Sequence, residues 1–332
     1  MTYSIPERIR LAQTPTPLVR LERLSAELGG AQVWIKRDDL TGVEVSGNKV
    51  RKLEYVLADA RAAGCDTLVT EGTSQSNHCR ATAAVCARLG LKSMLLFRPG
   101  PCAGPPVGNH LLDVLFGAET RNFTREEFSA SRARIIADVL AELRSAGRVP
   151  RFTPAGASEP VGCWGYIQAM RELAGQVAAA GLGACDVVAA VSSGGTFAGM
   201  VLGRKLHRTD DLHLTGVPVS DDVPYHLDAI TRLCRETAAQ FELGITISPD
   251  DLHFLDGYVG AGYAIPYADE IEALRLLART EGIVLDPVYT GKAFCGLLAE
   301  VRAGRLGRER PVIFLHTGGV FSNFAWPELV AG

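Results

Sequence analysis

The sequence predicts an α/β protein built on twisted, mostly parallel sheets. Short β-branched runs alternate with helical stretches along the chain, the pattern of strand–helix–strand units. The runs are almost continuously apolar, as strands buried on both faces are. Glycine-rich or polar segments follow several of them, where ligands of parallel sheets gather beyond the strand ends.

Strands are expected at 32–36, 67–70, 93–97, 186–192, 212–219 and 312–316. Between them, 48–63 places Val50, Leu53, Leu57 and Ala60 at helical spacing. A helix capped by Ser76 should run to Leu89 and stop before Gly90. In 267–280, Ile271, Leu274, Leu277 and Ala278 repeat the helical pattern. Two punctuated loops are expected, at 98–108 and 153–162.

At 332 residues the chain has room for about two domains of roughly 150 residues each. No long linker, repeat or low-complexity block separates two halves, so the domains should interleave and share a cleft. With 47% hydrophobic and 21% charged residues, disorder is excluded. The net charge of -3, from 34 basic and 37 acidic residues, supplies no basic surface for nucleic acid. No apolar run reaches membrane-spanning length, and the polar, Pro-punctuated start does not read as an export signal, so a cytoplasmic protein is expected. The 8 cysteines form no CxxC pair and the 7 histidines no HExxH, so no metal site is expected.

Five segments could carry chemistry. An apolar run leads into Ser193, Gly194, Gly195 and Thr196 and then a helix. This is either a phosphate cup of backbone N–H groups at a helix N-terminus or simply a tight turn. Gly199 and Gly203 follow, one turn apart, and should allow close packing against the sheet. Lys49 stands in the first turn of a helix, where the dipole would repel its charge and lower its pKa, as a Schiff-base lysine requires. The plainer alternative is a solvated lysine. Ser76, Asn77 and His78 open another helix and could receive a carboxylate or a ring oxygen, although capping alone explains Ser76. The segments Asp286–Lys292 and His316–Gly319 place polar groups after the 267–280 helix and at the end of the last strand, and core packing or turn formation accounts for either.

Taken together, PTPLVRLERLS, WIKRDDLTG, SGNKVRKLEY, QSNH, SSGGT, LDPVYTGKA and HTGG, in this order and spacing, resemble the D-cysteine desulfhydrase/1-aminocyclopropane-1-carboxylate deaminase family of pyridoxal-phosphate enzymes. The resemblance spans nearly the whole chain. It implies the tryptophan-synthase-β-like fold (fold type II), with two three-layer α/β/α domains, the larger from 1–50 plus 159–332 and the smaller from 51–158. It further implies pyridoxal 5'-phosphate held in the cleft, and a homodimer. Lys49 would carry the cofactor, and the freed Lys49 or a tyrosinate would take the α-proton. Asn77 would bond the ring oxygen, and Ser193, Gly194, Gly195 and Thr196 would hold the phosphate. Tyr289, Thr290 and Thr317 would also lie against the cofactor. Tyr263, in GAGYAIP, matches a second active-site tyrosine. Ser76, Asn77, His78 and Tyr263 would bind substrate, with Ser76 also counted among the catalytic groups.

The deaminase branch has Glu after the stacking tyrosine and Leu after the late histidine. Thr290 and Thr317 stand there instead, as in the desulfhydrase branch. A neutral hydroxyl in place of a carboxylate should leave the ring nitrogen less protonated and the electron sink shallower, which suits β-elimination. The expected reaction is therefore α,β-elimination from a small β-substituted amino acid, D-cysteine first, giving pyruvate, sulfide and ammonia. The alternatives are ring-opening deamination, elimination from cysteate, β-chloroalanine or a hydroxy amino acid, and a cofactor-binding protein without activity. The chain departs from the family pattern at Val320–Phe324, at Cys163 and Trp164, and at Cys79. Trp164 and Phe321 either reshape the pocket or pack in the core.

Overall fold

The computed structural model describes residues 3–98 and 105–331. Its strands are β1 (Leu18–Arg20), β2 (Val33–Arg37), β3 (Thr67–Gly72), β4 (Lys92–Phe97), β5 (Glu119–Asn122), β6 (Pro150–Thr153), β7 (Cys185–Val191), β8 (Leu212–Pro218) and β9 (Val312–His316). Its helices are α1 (Glu22–Glu27), α2 (Asn48–Ala62), α3 (Asn77–Leu89), α4 (Gly108–Leu115), α5 (Arg125–Ser145), α6 (Pro160–Ala179), α7 (Gly195–His207), α8 (Val223–Gln240), α9 (Ala268–Glu281), α10 (Thr290–Arg302) and α11 (Pro327–Ala331).

The strands form two sheets. The first has the order β1-β2-β9-β7-β8 and the second β5-β4-β3-β6. Every pairing is parallel except β1 with β2. Side chains alternate across each sheet, so Val187 and Ala189 enter a core with α2, α6, α7 and α8, while Val188 and Phe314 enter another with α9 and α10. In the second sheet Val69, Met94 and Leu96 face α5, while Leu95 and Phe97 face α3. Each sheet is thus the middle of three layers.

Every expected strand is present, with ends displaced by at most two residues. The unexpected ones are β1, β5 and β6, short edge strands of three or four residues with mixed burial and too few apolar positions to signal a period. The expected loop over 153–162 is shorter than it reads, since β6 ends at Thr153 and Pro160 opens α6. The other expected loop falls mostly on 99–104, outside the described residues, and Gly108 already belongs to α4.

Helix α2 departs from its amphipathic pattern, because its polar residues are buried as well. Arg51 donates to both oxygens of Asp38, at 2.8 and 2.9 Å, and to Glu172. Glu54 accepts the N–H groups of Leu11 and Ala12. These pairs let a helix with charged residues sit between the two sheets.

Candidate active site

The loop before α2 is shaped by Gly47, whose φ of +90° and approach to Thr317 exclude a side chain: a Cβ would lie 2.8 Å from the Thr317 carbonyl. Asn48 N–H donates to that carbonyl at 3.0 Å, and Arg80 holds the Glu44 and Ser46 carbonyls. The turn thereby aims Lys49 into the cleft. Its Nζ donates to Asn48 Oδ1 at 2.9 Å and stands 5.7 Å from the Tyr289 ring centre. Although part of the side chain stays open to the cleft, the Lys49 pKa falls to about 8, chiefly through burial of the amine. Asp286 pulls it up and Arg80 pushes it down. The expected direction holds, but desolvation is its leading cause where the sequence suggested the helix dipole.

Asn48 also reaches across the cleft, donating to Thr196 Oγ1 at 2.9 Å. Thr196 stands in the first turn of α7 behind Gly194, whose φ of +83° is left-handed. A second segment faces this turn. Ser158 Oγ accepts the Gly195 N–H at 3.1 Å and donates to Ser193 Oγ at 2.9 Å, and a Cβ on Gly156 would collide with Ser193. Gly199 and Gly203 do permit close packing, but against α6 rather than the sheet. A Cβ on Gly199 would lie 2.6 Å from Cys163 O, and one on Gly203 2.9 Å from Ile167 O.

One turn beyond Lys49, Lys52 is fully buried and its Nζ has no hydrogen-bond partner among the described residues. Burial, with Lys49 adding to it, drives its pKa well down. The sequence reading passed over Lys52, since nothing local distinguishes it from a surface lysine. The signal that would have found it is its position, i+3 from Lys49 on the same face of α2.

Across the cleft, Ser76 caps α3 as expected, accepting the N–H groups of His78 and Cys79. Asn77 Oδ1 accepts from Asn109 at 2.9 Å, which turns its amide nitrogen toward Gly319. A Cβ on Gly319 would lie 2.9 Å from Asn77 Nδ2 and 2.6 Å from Asp286 Cγ, so these three residues converge on one point. The His78 ring lies against β3, 2.8 Å from Thr70 Oγ1. Thr70 spends its own proton on Thr153 O, so His78 Nε2 is the donor. Burial keeps the imidazole neutral.

Thr290 is fully buried and bound to the Asp286 carboxylate at the head of the same segment. Its hydroxyl donates to Asp286 Oδ1 at 2.5 Å and accepts the Asp286 N–H at 2.8 Å. Asp286 also accepts the N–H groups of Val288, Tyr289 and Thr290. The neutral hydroxyl therefore has a buried carboxylate directly behind it. Tyr289 and Tyr263 share a hydrogen bond between their hydroxyls, and burial raises both phenol pKa values. Thr317 is buried and joins the site through its carbonyl.

Of the two bulky departures, Trp164 is a core residue, fully buried between Tyr3 and Phe241. Phe321 is half-buried, with its ring 5.4 Å from the Arg80 guanidinium carbon. Cys79 lies buried beneath Gly72.

A family model described as "Pyridoxal-phosphate dependent enzyme" matches residues 9–318. The chain belongs to this family. Among curated relatives, a D-cysteine desulfhydrase of Salmonella choleraesuis is 40% identical over 323 residues, covering 96% of each chain. A Pyrococcus abyssi protein with a provisional 1-aminocyclopropane-1-carboxylate deaminase name is 39% identical, covering 97% of this chain and 94% of its own. Among solved structures, an ACC deaminase homologue aligns at a TM-score of 0.87 and 34% identity, over 98% and 96% of the two chains. An L-serine ammonia-lyase from Rhizomucor miehei, 17% identical with a TM-score of 0.64 over 94% and 95%, shares the fold.

The residues present fit the cofactor of a pyridoxal-phosphate dependent enzyme. Lys52 is a buried amine without a partner among the described residues, one turn along α2 from the Asn48–Thr196 contact, where a bound anion would hold it protonated. Gly319, without a side chain, lets Asp286 and Asn77 close in on one point, which puts a carboxyl and an amide nitrogen side by side at the cleft. Lys49 is an amine of lowered pKa beside an aromatic ring.

Proposed function

We propose that this enzyme catalyses α,β-elimination from a small β-substituted amino acid, with D-cysteine the first substrate to test and pyruvate, sulfide and ammonia the products. The observation that carries this reading is one base beside one acid pair. Lys49, lowered to about 8, lies over Tyr289, and the Tyr263 and Tyr289 phenols are held protonated. When bound, pyridoxal phosphate supplies the sink for the electrons of the broken Cα–H bond. Lys49 Nζ takes the α-proton, because the raised phenol pKa values make a tyrosinate base costly at neutral pH. The Tyr263 hydroxyl then faces the departing β-group as a proton donor. Ser76 and the first turn of α3 receive the substrate carboxylate near the helix N-terminus. Lys52, Thr196 and Ser193–Gly195 hold the phosphate, and Asn77 the ring oxygen. Thr290 and Thr317 favour the desulfhydrase reading, since residue 290 places no carboxylate of its own at the ring.

Purified, cofactor-loaded enzyme is assayed for keto acid with D-cysteine and 1-aminocyclopropane-1-carboxylate side by side. Pyruvate with sulfide from D-cysteine alone supports the proposal. 2-Oxobutanoate from the cyclopropane substrate replaces it with the ring-opening reaction, which the similar Pyrococcus relative keeps in view.

Three further points belong to this proposal. A two-domain division at 51–158 is supported by the second sheet, whose strands all lie between Thr67 and Thr153. A homodimer is supported by an apolar face where α4 packs beside the 320–325 helix, with Leu115 68% and Phe324 65% exposed beside Val114. A cytoplasmic setting suits the free thiols among the described cysteines.

A further inference from the structure

Tyr263 stands in a segment without regular structure, between the Phe254 bridge to β8 and α9. The backbone there is contorted: Gly257, Gly260, Gly262 and Ala264 all have positive φ, and Ala264, at +56°, is a buried residue with a Cβ. Such a stretch does not hold its own shape. A phenol that must meet Tyr289 therefore depends on whatever fixes this backbone.

The tie is Lys292. Its side chain is fully buried, and its Nζ donates to Val259 O at 2.6 Å and Gly262 O at 2.7 Å. The Tyr267 ring lies 5.8 Å away. Lys292 belongs to the first turn of α10, three residues after Tyr289 and two after Thr290. One short piece of helix thus carries Tyr289 directly and grips the loop of Tyr263 through two charged hydrogen bonds. Glu270 of α9 is buried opposite, packed on Gly291, its carboxyl pushed up to about 8 by burial, with the Lys292 charge pulling the other way. A buried ammonium is costly unless it is bonded, so two carbonyls converging on it are a built arrangement.

We propose that Lys292 is a positioning residue. Its ammonium clamps the Val259–Gly262 backbone to α10 and so holds the Tyr263 hydroxyl against Tyr289. The consequence for turnover rests on the role given above to Tyr263, whereas the clamp itself does not.

The clamp is tested first without any assay of activity. Lys292→Ala should speed amide hydrogen exchange across 257–266 by about tenfold or more while leaving β9 unchanged, and added ethylammonium, which fits the vacated space, should reverse the effect. Lys292→Met keeps the volume without the charge, so it should show the faster exchange and resist rescue. Unchanged exchange in both variants, or acceleration spread equally over β9, overturns the clamp. Turnover is then measured in a cycle with Tyr263→Phe. Lys292→Ala should lower kcat by about tenfold or more with little change in KM, and should cost nothing further once Tyr263 is Phe. If Tyr263→Phe is fully active, the role of Tyr263 fails and the exchange result still decides the clamp. If both variants lose activity independently, Lys292 does not act through Tyr263.

Discussion

Arg51 and Lys52 are neighbours on one buried helix, yet their surroundings differ completely. Arg51 is saturated by Asp38, Glu172 and Thr16, and those bonds raise its pKa. Lys52 has no hydrogen-bond partner among the described residues, and burial lowers its pKa. A buried amine without a hydrogen-bond partner needs a reason, so the contrast separates a cation that holds the fold from an amine that awaits an anion. The same division runs through the cleft. Asp286 accepts bonds from three backbone N–H groups and a hydroxyl, whereas Lys49 has only Asn48.

The sharpest break comes from Lys49→Ala, which should abolish turnover and the visible absorbance of the bound cofactor. Measurable activity in that variant would end the assignment of the whole cleft. Next in size is Arg51→Met. It leaves Asp38 as a fully buried carboxylate without its bonded cation, while Glu172 keeps Lys36, so denaturant melts should show a loss of roughly 3–5 kcal/mol. Lys52→Met should do the opposite to the cofactor-free fold, which it leaves unharmed or stabilises by relieving a desolvated amine. Its cost falls on cofactor affinity, at roughly 1.5–3 kcal/mol, or about 10–150-fold in Kd by equilibrium titration. Equal destabilisation by Arg51→Met and Lys52→Met would erase the distinction between the two cations.

How legible all this was depended on whether the signal was local. The strand–helix alternation, the Ser76 cap and the glycine turn before α7 are written in consecutive residues, and the structure brings Lys49, Thr196 and Tyr289 to one cleft from those segments. Lys52 was invisible because its meaning lies in the absence of a partner, a property of packing. Asp286 was within a segment already singled out, but its bonds with Thr290 depend on a fold of the chain that spacing does not reveal. Ser158 and Gly156 come to Ser193 from 35 or more residues away. The polar residues of α2 misled the pattern for the same reason, since their partners lie on the N-terminal segment and α6.

The smallest effect separates the two ends of the cleft by their coupling. Lys49 has its pKa lowered to about 8 by burial, with Asp286 opposing that shift. At pH 7 roughly a tenth of such an amine is neutral, against about 0.03% for a lysine of ordinary pKa, and only the neutral form attacks a carbonyl. Cofactor uptake by the cofactor-free protein should therefore accelerate with pH and level off above a midpoint near 8, followed by absorbance after mixing. The same shift fixes the sign for stability. Between the folded value and the ordinary 10.5 the unfolded chain binds the extra proton, so Lys49 makes the cofactor-free fold more stable as pH rises through that window. Asp286→Asn removes the charge that holds the ammonium form, and the uptake midpoint should move to lower pH. A midpoint near 10.5, or one that Asp286→Asn leaves in place, would mean that Lys49 is solvated and that the two ends of the cleft do not sense each other.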